Sequence, residues 1–243
     1  MPATTQKILL DTDEVHVWLA DVAGLEDGGL DRLWATLSSE EKEAIERYRF
    51  QRDRDVHILS RGGLRQILSR YAAVAPENLE FSVTPYGKPC LNSPHSTDLR
   101  FSVSHSGGLV AWALAEGREI GIDVEQVREL PDFLDIARTV FTPREREFLS
   151  ELEGEERNRA FFRFWTRKEA YVKARGMGLT IPLQSFEVAG DSSQIVISGP
   201  PGDSPQGQSW LVTDLDAPTG YRGAVAGETG YRIRHLFDHH GAL

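Results

Sequence analysis

The stretch Leu109–Glu125 joins LVAWALA (Leu109–Ala115) to IGIDVE (Ile120–Glu125) through a Gly-bearing turn, and it reads as two short strands with no helix between them. Each half reads as a strand, helices and then antiparallel-type strands, not as a regular βαβ alternation. Working outward, further strands are expected at Arg100–Val103 and Leu79–Val83. Before them comes a helix over Asp53–Tyr71, where Leu64, Ile67, Leu68 and Tyr71 recur at helical spacing. Gly62 and Gly63 either weaken that helix or mark a close approach. A helix from Ser39 to about Arg49 and an opening strand, Val15–Ala20, complete this half. Downstream, two short helices cover Asp132–Thr139 and Pro143–Leu152, with Thr142 as N-cap and Pro143 at the first helical position. The longest helix runs from about Glu156 to Arg175 and ends at Gly176 and Gly178. Strands follow near Ser185–Val188, Gln194–Ile197, Trp210–Thr213, Tyr221–Ala226 and Tyr231–Arg234, with a surface loop over 199–208. The fold class is therefore α+β, with two similar subdomains, 1–116 and 117–243, read as pseudo-duplicates without a strict sequence repeat.

The chain has 243 residues, 40% hydrophobic and 26% charged, enough to bury a core. Lys and Arg total 27 against 37 Asp and Glu, a net charge of -10, so nucleic acid is not an expected partner. A local basic excess between Lys42 and Arg70 is the exception. No run approaches the ~20 apolar residues of a bilayer span, and the N-terminus lacks the layout of a secretory signal. The expected location is the cytoplasm, with no membrane partner. Cys90 is the only cysteine, which excludes a disulfide or multi-thiolate scaffold and reads as an unreactive thiol. His235, His239 and His240 read as a solvated tail.

Three clusters carry chemistry. In Gly121-Ile122-Asp123-Val124-Glu125, alternation puts Asp123 and Glu125 on one face while Ile122 and Val124 enter the core. Paired carboxylates suit Mg²⁺, and an exposed acidic edge is the plainer alternative. On the long helix, Trp165, Glu169 and Lys173 fall at i, i+4 and i+8 on one stripe. Glu169 is a candidate third ligand and Lys173 a charge-neutraliser, against a surface pair worth only ~0.3 kcal/mol. Phe101–Gly108 (FSVSHSGG) offers hydroxyls, an imidazole and glycine-permitted N–H groups for phosphate oxygens. Ser104 and His105 point to opposite faces, so they do not form a nucleophile and base pair. Tyr86-Gly87-Lys88-Pro89 is a rigid turn displaying one lysine.

The set YGKPCL, FSVSHSGG, GIDVE and FWTRKEAYVKARGMGL, in this order and spacing, resembles the Sfp-type (surfactin-type) 4′-phosphopantetheinyl transferases from about Ser39 to Phe186. The resemblance implies two subdomains related by a pseudo-twofold axis. It implies transfer of the phosphopantetheine arm of coenzyme A to a serine of an apo acyl, peptidyl or aryl carrier protein, releasing adenosine 3′,5′-bisphosphate. It implies Mg²⁺, with Mn²⁺ as a substitute, on Asp123, Glu125 and Glu169; Asp123 also borders the coenzyme. Lys173 would sit at the pyrophosphate, Lys88 and His105 at the adenosine phosphates, and Pro89 and Ser104 along the nucleotide pocket. Glu145 matches the glutamate proposed as general base, with Glu147 as fallback and a helix-dipole role as the equal alternative. Where several relatives carry an arginine for the ribose 3′-phosphate, this chain has Val56; Arg54 and Arg61, near two turns apart, are the expected substitutes, with Arg65 or Arg49 as alternatives. A monomer is expected. Carrier proteins are acidic and helical, so the basic segment is a candidate docking surface. A degenerate binding module and a metal phosphohydrolase acting on coenzyme A are the competing classes.

Overall fold

The computed structural model describes residues 8–92, 98–198 and 209–237. The 199–208 loop and the His239 and His240 tail lie outside them. The first half holds β1 (Glu14–Asp21), α1 (Gly29–Ala35), α2 (Ser39–Glu46), α3 (Gln51–Ala72), a small hairpin of β2 (Phe81–Val83) and β3 (Pro89–Leu91), β4 (Leu99–Ser106) and β5 (Leu109–Glu116). The second holds β6 (Ile120–Gln126), α4 (Phe133–Val140), α5 (Pro143–Ser150), α6 (Gly154–Arg175), β7 (Gln194–Ser198), β8 (Ser209–Asp214), β9 (Tyr221–Glu228) and β10 (Arg232–Phe237). One sheet has the order β10-β1-β5-β4 and the other β6-β9-β8-β7. Every pairing is antiparallel except β1 with β10. The last strand thus returns to the first sheet.

Strand alternation decides which side chains meet on each face of the sheets. From β5, Val110, Trp112 and Leu114 face α3, meeting Leu59, Ile67 and Leu68. Ala111, Ala113 and Ala115 face the other way, against Ile120, Ile122 and Val124 of β6. The far face of the second sheet carries α6 through Phe161, Phe164, Ala170 and Ala174. Because β5 is covered on both sides, it reads as an unbroken apolar run.

Glycines set how closely the long helices approach. A Cβ on Gly63 would lie 2.7 Å from the Trp112 ring, and one on Gly62 2.7 Å from Leu33, so the pair marks close packing and not a weak helix. On β6, a Cβ at Gly121 would fall 2.1 Å from the Ala170 carbonyl oxygen. That approach lowers the last turns of α6 onto β6, beside Asp123.

Several boundaries differ from the sequence reading. α2 ends at Glu46, and α1 and β3 were not anticipated. The segment expected as a strand at 185–188 is not one, although Phe186 and Val188 are buried. The Val188 N–H donates to Glu145 Oε1 at 2.7 Å instead of to a strand. Among the described residues no helix is long and apolar enough to cross a membrane.

Candidate active site

The two sheets meet edge to edge along β4 and β6, joined by side chains in place of a backbone ladder. Ser102, Ser104 and Ser106 share one face of β4. Ser102 Oγ accepts from the Ile122 N–H at 3.1 Å. Ser104 Oγ donates to Asp123 Oδ1 at 2.8 Å and Ser106 Oγ to Glu125 Oε2 at 2.6 Å. Ser106 also accepts from the Gln126 N–H at 3.2 Å. Period-2 spacing of hydroxyls on one strand thus meets period-2 spacing of carboxylates on the other.

Across this seam α6 brings Lys173, whose Nζ donates to Asp123 Oδ1 at 2.8 Å. Asp123 is 4% exposed, and its Oδ2 is buried with no hydrogen-bond partner. Burial pushes the Asp123 carboxyl up, opposed by Lys173 and Ser104. Glu125 is raised by burial and by Asp123. Glu169 is raised by burial, then by Asp123 and Glu125. Three acids that hinder one another's ionisation, one with an orphaned buried oxygen, are a donor set suited to a hard divalent cation. They do not form a closed cage. Among the described residues no three carboxylate, imidazole or thiolate groups converge closely enough to enclose an ion; Asp123 instead touches the Lys173 ammonium.

Glu169 and Lys173 line a cavity of about 310 Å³ walled by the Tyr86–Pro89 turn, Val103 and Gly176. Beyond Pro89 and Val103, which border both spaces, a second cavity of about 570 Å³ is lined by His57, Arg61 and His105. Together they make a trough from the carboxylates across to α3. His57 stacks on Tyr48 (4.1 Å between centroids) and meets His105 edge-on at 4.9 Å. Burial, His105 and Arg61 lower the His57 imidazole to about 4. His105 is lowered as well, by burial and then by Lys173.

Residues 119–226 match the model of the 4′-phosphopantetheinyl transferase superfamily, and residues 27–117 match that of a 4′-phosphopantetheinyl transferase N-terminal domain. The 4′-phosphopantetheinyl transferase HetI of a Nostoc species is 39% identical over 183 residues, covering 75% of this chain and 76% of that protein. Sfp of Bacillus subtilis is 31% identical over 196 residues, covering 80% and 84%. The gsp transferase of Aneurinibacillus migulanus is 32% identical over 165 residues, covering 68% and 67%. The chain belongs to the 4′-phosphopantetheinyl transferase superfamily.

Of the residues singled out in this phosphopantetheinyl transferase, Asp123, Glu125, Glu169, Lys173, Ser104, Lys88, Pro89, His105 and Arg61 gather along the seam and trough. Ser104 turns its hydroxyl to Asp123. Lys88 lines the smaller cavity, but its Nζ is held by Glu119 Oε2 (2.7 Å) and the Ile120 carbonyl (3.0 Å). Arg61 makes no hydrogen bond or ion pair among the described residues. Arg54 is removed from the trough: it donates to the carbonyls of Tyr48 (2.9 Å) and Glu46 (3.3 Å), stapling the link between α2 and α3.

Glu145 is corrected too. It is fully buried, the N3 member of a capping box with Thr142 at the start of α5. Oε2 accepts from the Thr142 N–H and lies 2.9 Å from Lys168 Nζ, itself fully buried, while Oε1 accepts from Val188. A carboxylate so enclosed has no path to a substrate hydroxyl. Glu147 is exposed on α5. His57 was missed, although it stands four residues before Arg61 and hence on the same helical face.

Proposed function

We propose that this transferase moves the phosphopantetheine arm of coenzyme A onto a serine of an apo carrier protein, in a reaction that requires Mg²⁺ or Mn²⁺ and releases adenosine 3′,5′-bisphosphate. The observation that carries this is the buried, unpartnered Oδ2 of Asp123, whose Oδ1 is held by a serine hydroxyl and a lysine where the trough meets the seam. Asp123, Glu125 and Glu169 would hold the ion, which when bound supplies Lewis-acid polarisation of the diphosphate and offsets charge on the leaving group.

The remaining steps belong to side chains. Arg61 and His105 hold the phosphate on the ribose, and Pro89 packs beneath the nucleotide. Lys173 neutralises the bridging oxygen and protonates it as the phosphorus–oxygen bond to the adenosine side breaks. The carrier serine Oγ forms the new bond to phosphorus, and its proton passes to Glu169. This carboxylate faces the cavity. We read the units as 1–116 and 117–243, the second lending β10 to the first sheet, and the chain as active on its own because both halves line the trough.

Intact mass of an apo carrier protein after incubation with coenzyme A and Mg²⁺ tests the reading. A gain equal to the arm supports transfer. Release of adenosine 3′,5′-bisphosphate with the carrier unmodified would mean hydrolysis instead.

A further inference from the structure

The hairpin of β2 and β3 walls the trough, yet among the described residues it belongs to neither large sheet: its strands, three residues each, pair only with one another. A two-stranded hairpin this short is marginal in water, so anchors outside its own ladder must hold it. Near its open end, Arg65 of α3 donates to the Leu79 carbonyl at 3.0 Å, and the guanidinium lies over the Phe81 ring. At the closed end the anchor is Lys88, and it reaches the other half of the molecule. Lys88 Nζ donates to Glu119 Oε2 at 2.7 Å, to the Ile120 carbonyl at 3.0 Å and to the Ala174 carbonyl at 3.5 Å. The stem lies along the end of α6, where a Cβ on Gly176 would meet Lys88 Cδ at 3.4 Å.

An ammonium has three N–H donors and no more. All three of Lys88 are taken up inside the protein, which leaves none to aim at a phosphate. Two of the acceptors are neutral carbonyls and the third is a carboxylate, so the bond to Glu119 is the strongest of the set. Glu119 stands in the short link between β5 and β6, where the two halves join, and its Oε1 lies 3.3 Å from Arg100 Nε on β4. The Tyr86–Pro89 turn forms one wall of the cavity of about 310 Å³, and Val172, Lys173 and Gly176 form the facing wall. A contact that ties the turn to the end of α6 therefore fixes the distance between those walls. Its strongest member is also its wettest, since the Glu119 side chain is 43% exposed against 15% for Lys88.

We infer that Glu119 is a positioning residue for the nucleotide: by holding the Lys88 ammonium it clasps the Tyr86–Pro89 turn to the second half and sets the width of the cavity that receives coenzyme A. This rests on the transfer reading, and the experiment separates the two. Steady-state kinetics are run on the full chain with coenzyme A, Mg²⁺ and a saturating apo carrier, for wild type, E119A, K88M and the double variant. Each single variant is expected to raise KM for coenzyme A by roughly fivefold, and the double variant by no more than that, because both remove the same contact. In E119A, kcat should stay within about twofold of wild type, since the carboxylate touches no reacting atom. A KM for coenzyme A that is unchanged or lowered in E119A would overturn the proposal, because Lys88 would then be a phosphate ligand that Glu119 restrains. Effects that multiply in the double variant, or a fall in kcat at unchanged KM, would overturn it as well. If K88M does not fold, E119A, altered at a side chain in contact with water, decides alone. Absence of transfer by the wild type would instead sink the transfer reading.

Discussion

The two halves share one anchoring device and differ in what they present at the seam. In the first, Ser38 and Glu41 form a capping box at the start of α2, and Glu41 pairs with Arg65 of α3 at 2.8 Å. Arg65 also donates to the carbonyls of Pro76 and Leu79. In the second, Thr142 and Glu145 cap α5, and Glu145 pairs with Lys168 of α6, which also donates to the carbonyls of Leu183 and Phe186. Arg65 and Lys168 each stand fourteen residues beyond the start of their 22-residue helices. The capping glutamate is thus a structural part repeated in both halves, holding short helix, long helix and following loop together. The residues one and five positions further on are Gln66 and Arg70 in α3 but Glu169 and Lys173 in α6. Across the seam, β4 of the first half offers hydroxyls to the carboxylates of β6. One copy keeps the framework and supplies hydrogen bonds; the other carries the charge.

The widest difference between the copies is in turnover. Asp123→Asn is expected to lower kcat roughly a thousandfold, by removing charge where charge develops. Ser104→Ala, on the hydroxyl side of the same bond, is expected to cost only about tenfold, from the loss of one hydrogen bond to a charged group. Equal losses would show that the seam works as one hydrogen-bonded unit and that the carboxylate is nothing special.

The anchors come next. Lys168→Met leaves the buried Glu145 carboxyl without its cation, and chemical denaturation should show a loss of about 3–5 kcal/mol. Arg65→Met should cost less, because Glu41 is 16% exposed and can be rehydrated. Glu145→Gln with Lys168→Met should recover most of the stability and retain transfer; retained stability without turnover would return Glu145 to the chemistry.

The smallest effect is one of pH. His57 holds a neutral imidazole down to about 4, below its ordinary 6.5. Between these values the unfolded chain takes a proton that the folded chain refuses, so stability present above pH 6.5 declines as pH falls toward 4. The His57→Gln variant should lose less stability between pH 7 and pH 5 than wild type, measured by the denaturant midpoint. An identical decline would place His57 in water.

The placing of the candidate site's residues was legible because it is local: Asp123 and Glu125 need only the period of a strand, Glu169 and Lys173 only that of a helix. Of the two readings of Glu145, base or first-turn acid, its burial favours the second, and Thr142-Pro143-Arg144-Glu145 spells a capping box, as Ser38 to Glu41 does in the first half. Its partner Lys168 lies too far along the chain for any local pattern to link them. The parallel pairing of β10 with β1, and the loss of a strand at Val188 to a side-chain acceptor, are long-range choices of the same kind. Lys88 was read as a free point charge because Glu119 approaches it only after folding.

The central claim is that the orphaned oxygen of Asp123 awaits a divalent cation, with Glu125 and Glu169 as co-ligands. Electron paramagnetic resonance of Mn²⁺ titrated into the protein with coenzyme A present measures this without reference to activity. The account predicts about one bound ion per chain, lost in Asp123→Asn and weakened in Glu169→Gln. Mn²⁺ binding that survives Asp123→Asn unchanged, or that never appears in the wild type, would contradict it.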